Sequence, residues 1–426
     1  MIHIAVLGMG TVATGLVQIL QRNAALIRDR IGEEVGIKWV LVRDPQKPRT
    51  ADLTGVKLTT DMSGILTDPD VHIVVELMGG EEPAKTYISQ ALAAGKHVVT
   101  ANKEVLSKHK THFFDLALHH GVSLHYEASV GGSIPIVQAL KLGYAANHVT
   151  ALYGILNGTT NYILTRMEQE KMDYQDALKL AQQKGFAEAD PHMDVSGQDA
   201  AYKLDILARI AFQADIRLAD LHFEGIENIS ARDFVAAADM GYRIKLVATG
   251  QVVAPDRLAL GVFPMMIPQG HPLAAVSDEY NAVFLNTDCA GEAMLYGRGA
   301  GGLPTGSAVA ADIMDVVLHQ LQNSKDQLVA PPSAWNLVPL AETQSQFYIR
   351  LLVEDTAGVL EKITGICGRD QISISKILQK NVIDSRAEIE LVTHRVPQRQ
   401  MQDALHQFQT LPTVHQISQV LRVGLA

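Results

Sequence analysis

The amino-acid sequence predicts an α/β protein in three parts: a parallel, doubly wound sheet first, an α+β unit in the middle, and a ferredoxin-like βαββαβ unit last. Three observations carry this expectation. Short Val/Ile-rich runs alternate with helical patterns at the start of the chain, long helical patterns precede antiparallel-looking strands in its centre, and the periodicity shifts again after a proline-containing stretch. The length of 426 residues, against a prior of roughly 150 residues per domain, also points to three domains.

Ile2–Leu7 reads as a short buried strand, Thr11–Arg22 as a helix, and Ile37–Val42 and Val71–Leu77 as further strands. Pro83–Ala94 is helical and ends at Gly95, and Lys96–Thr100 and Val122–Tyr126 complete the strand series. Such alternation predicts a parallel sheet. Asn161–Gly185 and Asp199–Ala214 read as long helices. Arg243–Val253, Arg257–Pro264, Ala282–Thr287 and Ala293–Tyr296 follow as a mainly antiparallel sheet, and Ser307–Leu321 as a helix that returns to the first domain. Ser324–Gln346, with Pro331, Pro332 and Pro339, is the candidate linker. Beyond it, strand Phe347–Val353, helix Gly358–Gly368, strands Ile372–Gln379 and Ala387–Thr393, helix Gln398–Gln409 and strand Val414–Val423 give the βαββαβ order.

Composition removes several function classes. The net charge of −10 (36 basic against 46 acidic residues) argues against nucleic acid as a partner. No charge-free apolar run reaches about 18 residues, so no membrane span is expected. The N-terminus runs straight into a strand without a basic region, so no secretory leader is expected. Cys289 and Cys367 lack metal-like spacing and fit reduced thiols of a cytoplasmic protein. His192 and Asp194 alone do not make a metal site.

Gly8-Met9-Gly10-Thr11-Val12-Ala13 follows a strand and opens a helix. Gly8 allows a tight turn, Gly10 lets backbone approach a pyrophosphate, and Ala13 is small enough for close helix–strand packing. The N–H groups at the start of that helix, from Thr11 and Val12 on, then face the anion. This is a Rossmann-like dinucleotide fingerprint. The second strand ends in Arg43, with Lys47 and Arg49 behind it, where an NAD-selective site usually has an acid. A guanidinium there pairs with a 2′-phosphate, which favours NADP over NAD, although Asp44 follows at once.

Lys103 closes Thr100-Ala101-Asn102-Lys103 at the carboxyl end of a strand, where ligands of open parallel sheets collect. Asn157-Gly158-Thr159-Thr160-Asn161 either caps a helix or presents N–H groups to a substrate carboxylate. The loop Gly185–Pro191 carries Glu188 and Asp190, and Ser196–Asp199 resembles a capping box. Asp199 and Lys203 share a helix face. They read either as an exposed helix ion pair or, with Leu204, Ile206 and Leu207 beside it placing Lys203 at the edge of a core, as a lysine whose proton affinity Asp199 could tune for general-acid work on a carbonyl oxygen.

Val74–Gly80, Thr100–Lys103, Asn157–Asn161, Glu188–Pro191, Asp199–Lys203 and Gly299-Ala300-Gly301-Gly302-Leu303-Pro304-Thr305, in this order, resemble the homoserine dehydrogenase family. With no aspartokinase-like segment ahead of Met1, the resemblance is to the monofunctional form. It implies reversible reduction of L-aspartate 4-semialdehyde to L-homoserine with NADPH or NADH, on the route to threonine, methionine and isoleucine. Lys203 would protonate the aldehyde oxygen, with Asp199 positioning substrate and lysine. Glu188, with backbone near Gly185, Gly158 and Thr159, would bind the amino-acid end. Lys103 would stand between cofactor and substrate, and Gly302 would approach the cofactor. The run Glu127–Ile134 resembles the family's monovalent-cation site, sodium by expectation, with Glu127, Val130, Gly132 and Ile134 as ligands. Arg298 stands where many members have proline. The implied division is a dinucleotide-binding domain 1–134 with return segment 303–323, a substrate and dimerisation domain 135–302, a linker 324–346 and a regulatory domain 347–426.

Asp355–Leu360 and Ile372-Ser373-Ile374 resemble the ACT domain, which often binds an amino acid at a dimer interface. Ala357 stands where many ACT domains have proline. The implications are a threonine effector, with backbone at Gly358 near its carboxylate, and a homodimer or homotetramer. Two other readings are another NADP-dependent amino-acid or aldehyde reductase, and a catalytically silent NADP and amino-acid sensor. The set Lys103, Glu188, Asp199 and Lys203 argues against the silent sensor.

Overall fold

The computed structural model describes residues 1–321, 332–383 and 386–425. The chain divides into two compact units. One is built from Met1–Val149, Tyr202–Asp220 and Asn281–Ser333, the other from Thr150–Ala201, Leu221–Tyr280 and Ala334–Ala426.

In the first unit, β1 (Ile2–Leu7), β2 (Val35–Leu41), β3 (Lys57–Thr59), β4 (Val71–Glu76), β5 (His97–Thr100) and β6 (Leu124–His125) form a parallel sheet. The order is β3-β2-β1-β4-β5-β6, so the winding reverses between β1 and β4. Both central strands are apolar without alternation because both their faces are covered: Ile4, Val6, Ile73, Val74 and Val75 are inaccessible to solvent. Helices α1 (Thr11–Arg22), α2 (Ala24–Ile31), α3 (Ala84–Ala93) and α4 (Lys103–His120) connect the strands. The returning helix spans Gly302–Leu321, five residues longer at its start than expected, and buries Val309, Ile313, Val316 and Val317 in the same core as α1. These two helices touch backbone to backbone. A Cβ on Gly15 would lie 2.1 Å from the Gly302 oxygen, so glycine is required there.

Neither α2 nor α4 belongs to the expected set. The buried side of α4 includes Ser107 and Lys110, which local periodicity scores as polar. Asp205, from the helix Gln198–Ala211, accounts for both: Lys110 Nζ donates to its two oxygens at 2.8 Å and Ser107 Oγ at 2.6 Å.

The second unit opens with β7 (Val149–Ile155), α5 (Gly158–Glu170) and α6 (Tyr174–Gln183). The single helix expected over 161–185 is two. Lys171 turns left-handed, and Asp173 caps α6 by accepting from the Asp176 N–H at 2.9 Å. After α7 (Gln198–Ala211), whose residues from Tyr202 on are counted with the first unit, come α8 (Ala231–Asp239), β8 (Tyr242–Ala254) and β9 (Arg257–Pro268). The βαββαβ unit follows as β10 (Gln344–Glu354), α9 (Val359–Arg369), β11 (Ile374–Ile383), β12 (Arg386–Thr393), α10 (Gln398–Thr410) and β13 (Val414–Val423). Its two helices cover one sheet face, with Ile349, Leu351, Ile363, Ile389, Leu391, Met401 and Phe408 in the core. Residues 324–331 of the expected linker, and 322–323 of the expected return segment, lie outside the described residues. Asn336–Leu337 beyond it pairs with Arg257–Leu258.

The two sheets of this unit are one. β13 pairs parallel to β9, Met265 with Arg422 and Met266 with Val423, giving the order β7-β8-β9-β13-β10-β12-β11. Helix α8 lies on its C-terminal part. A capping box of Ser230 and Asp233 opens α8, although the sequence pattern suggested one at Ser196 instead. From β10, the Arg350 guanidinium reaches Asp233 Oδ1 at 2.9 Å and Ser230 Oγ at 3.2 Å. From β11, Lys376 Nζ donates to the Met240 carbonyl at the other end of α8, at 3.2 Å. On its other side α8 packs against α5.

Candidate functional site

The cofactor-binding candidates assemble at the switch point of the parallel sheet. Gly8 has φ of +90°, and a Cβ there would come within 3.0 Å of the Leu77 oxygen. Only glycine therefore lets the loop after β4 lie against this turn. Gly10 is the N-cap of α1, Thr11, Val12 and Ala13 form its first turn, and no side chain caps it. Its leading N–H groups remain for an anion. Gly302 lies beside them, with its Cβ direction 3.0 Å from the Thr11 oxygen. Ala13 is fully buried. Of the basic residues after β2, Arg49 spends its guanidinium on the carbonyls of Asp44 (2.6 Å) and Lys47 (2.7 Å). Arg43 is exposed.

At the carboxyl ends of β4 and β5, Glu76, Thr100 and Asn102 form a buried network; the sequence marks the runs Val74–Gly80 and Thr100–Lys103 only as carriers of the family resemblance, not as partners. Thr100 Oγ1 donates to Glu76 Oε2 at 2.5 Å, and the Met78 N–H donates to Oε1 at 2.7 Å. Asn102 caps α4 by accepting from the Val105 N–H, and Lys103 is the first residue of that helix. Burial pushes the Glu76 carboxyl up to about 7.

The proposed cation ligands lie in the turn after β6. Val130, Gly132 and Ile134 are buried, and the Ser133 N–H donates to the Arg298 carbonyl at 3.0 Å. Glu127 is 2% exposed, and its oxygens accept from the Val137 and Gln138 N–H groups at 2.9 and 2.8 Å. Its own N–H donates to Asp312 at 2.9 Å. Burial, then the neighbouring Asp312 charge, raises Glu127 to about 7, and burial raises Asp312 to about 6. Main-chain carbonyls beside buried carboxylates are donors suited to a hard cation.

In the second unit, the Asn157 side chain draws three segments together. Its Oδ1 caps α5 by accepting from the Thr160 N–H at 2.8 Å. Its amide donates to Asp194 Oδ1 at 2.8 Å and to Asp199 Oδ2 at 2.7 Å. The motif caps its helix and anchors two acids as well. Thr159 Oγ1 donates to the Phe186 carbonyl at 2.6 Å, fixing the loop that holds Gly185 and Glu188. Glu188 itself is exposed. The sequence names Asn157 only within the Asn157–Asn161 motif and Asp194 only beside His192; their pairing with Asp199 through the Asn157 amide is seen only in the fold.

Asp199 and Lys203 stand one turn apart on α7, 2% and 8% exposed. The expected edge position is in fact deeper, because α7 is buried around much of its circumference, with Leu204, Asp205, Ile206, Leu207 and Arg209 all inaccessible or nearly so.

A glycine turn at the switch point of a parallel sheet, with a separate unit holding ordered amide and carboxylate groups, defines a dinucleotide-dependent oxidoreductase. Comparison with known proteins gives the family. Residues 8–127 match the homoserine dehydrogenase NAD-binding domain, 135–314 the homoserine dehydrogenase domain and 347–412 the ACT domain. The homoserine dehydrogenase of Bacillus subtilis is 38% identical over 425 residues, covering 99% of this chain and 98% of that protein. That of Synechocystis is 40% identical over 431 residues, covering 99% of each. The crystal structure of a homoserine dehydrogenase from Thiobacillus denitrificans superposes with a TM-score of 0.94 at 37% identity, covering 99% of this chain and 98% of that one. The chain belongs to the homoserine dehydrogenase family of oxidoreductases and carries a C-terminal ACT domain. Among its described residues, no helix is long and apolar enough to cross a membrane.

Proposed function

We propose that this cytoplasmic enzyme interconverts L-homoserine and L-aspartate 4-semialdehyde with NADP in preference to NAD, under control of threonine at the ACT domain. When bound, the nicotinamide supplies or accepts the hydride. Lys203 holds the proton that the aldehyde oxygen takes up, and its charge stabilises the developing alkoxide. Asp199 orients substrate and lysine. Glu188 and the backbone at Gly158, Thr159 and Gly185 hold the amino-acid end, and Lys103 stands between substrate and cofactor. The observation that supports this reading most is a lysine and a carboxylate buried one turn apart on α7, with the carboxylate held by Asn157.

Exposed Arg43 supports NADP. With homoserine as substrate, NADP is expected to be reduced faster than NAD, added threonine to slow the reaction, and Arg43→Asp to reverse the cofactor preference. NAD reduction outpacing NADP reduction in the native chain would remove the Arg43 assignment, and indifference to threonine would remove that effector.

Glu127, with the carbonyls of Val130, Gly132 and Ile134, is proposed to hold sodium in a structural role, in an enzyme of two or more subunits. Replacing sodium by tetramethylammonium is then expected to lower the melting temperature; an unchanged melting curve would exclude an occupied site.

A further inference from the structure

Glu76 ends β4 opposite Thr100, the last residue of β5, and opposite Leu7 of β1. Its side chain is inaccessible to solvent. Its two oxygens serve two segments: Oε2 accepts from the Thr100 hydroxyl and Oε1 from the Met78 N–H. Thr100 Oγ1 accepts in turn from the Asn102 N–H at 3.0 Å, and the Asn102 amide donates to the Gly80 carbonyl at 2.9 Å. One carboxylate thus fixes both the loop 77–80 and the turn 101–103. The first lies against the Gly8 turn, and the second leads into α4 at Lys103.

The chemistry of this junction is demanding. Both neighbours are donors to Glu76, so the bridge must accept twice. A carboxylate does so, while an amide offers one acceptor and one donor group. Among the described residues, the groups that act on Glu76 are the Thr100 hydroxyl, the Asn102 amide and the Met78 N–H, and none carries a charge. Its raised pKa accordingly comes from burial alone, opposed only by hydrogen bonds. Asp205, buried in the same unit, is by contrast neutralised by Lys110. A buried acid without a cationic partner is costly, and a role in folding alone would be better served by an uncharged tie.

We propose that Glu76 is a positioning residue for the reaction, holding the loops after β4 and β5 in the arrangement that receives the dinucleotide and aims Lys103. This rests on the cofactor site assigned above.

Glu76→Gln, Thr100→Val and Thr100→Ser in the full chain test it. Affinity for oxidised NADP is read by calorimetry from about pH 6 to about pH 8, the range in which a carboxyl of pKa near 7 ionises, and kcat and KM are read with homoserine. The native chain is expected to bind NADP more tightly as the Glu76 carboxyl ionises. Glu76→Gln is expected to lose that dependence, to bind about 10- to 100-fold more weakly at the upper pH, and to lose kcat in similar measure. KM for homoserine should stay within about twofold, because its proposed ligands Gly158, Thr159 and Glu188 belong to the other unit. Thr100→Val should behave like Glu76→Gln, and Thr100→Ser like the native chain. Native affinity with native pH dependence in Glu76→Gln overturns the proposal, as does an equal loss in Thr100→Ser and Thr100→Val. Should Glu76→Gln not fold, the Thr100 pair decides. The affinity measurement needs no turnover, so it stands even if homoserine is not the substrate.

Discussion

Lys203→Ala is expected to lower homoserine turnover by about 10²- to 10⁴-fold while NADP binding survives. Hydride transfer to a carbonyl builds negative charge on oxygen, and a positioned ammonium both stabilises that charge and discharges it as a proton. Water has to take over both tasks when the amine is removed. The helix should persist, because Ala200, Leu204 and Leu207 stay packed and Asp205 still ties α7 to α4 through Lys110. Lys203→Met, close in volume, separates the loss of the ammonium from the loss of packing. Steady-state rates and calorimetric cofactor affinity are the measurements. Turnover within a few-fold of native in Lys203→Met would remove the lysine from the chemistry.

Arg350→Ala is expected to destabilise the second unit by about 3–5 kcal/mol, because it leaves a buried carboxylate without its counter-charge. Asp233 is inaccessible to solvent, and Arg350 contacts both it and Ser230. The capping box continues to give Asp233 the Ser230 N–H and hydroxyl, at 2.8 and 2.7 Å, which argues for the lower end of that range. Replacing both partners, Arg350→Met with Asp233→Leu, should recover part of the loss, since two well-packed apolar groups leave no uncompensated charge. The urea midpoint reads the effect. A loss below about 1 kcal/mol would show the pair behaving as a solvent-screened surface bridge.

What the sequence disclosed depended on the distance over which each feature is encoded. The strand Ile2–Leu7, the Gly8–Gly10 turn and helix Thr11–Arg22 have the expected boundaries, because pattern, turn and helix start lie within a few residues of one another. Asp199 and Lys203 were likewise visible as neighbours on one helix. Helices α4 and α8 escaped notice because the polar residues on their buried sides have distant partners: Lys110 pairs with Asp205 and Asp233 with Arg350. The Glu76 network was hidden for a related reason. Its geometry depends on Glu76 lying opposite Thr100 in two parallel strands, and that register is set by the whole sheet. The break between α5 and α6 turns on one left-handed lysine, a conformation that its residue type does not announce.

The union of β9 with β13 makes the ACT domain a poor candidate for surgical removal. A chain cut before Phe347 would strip the hydrogen-bonding partners from Met265 and Met266. It would also bare the Phe263 ring on which Arg422 stacks at 4.0 Å, and leave the Asp233 end of α8 without its basic clasp. Such a fragment would present a raw strand edge and a sticky helix flank, both invitations to clump. Insensitivity to an amino acid in that fragment would therefore report damage as readily as deafness. A full-length protein altered only around Gly358 is the cleaner instrument for asking what this domain hears.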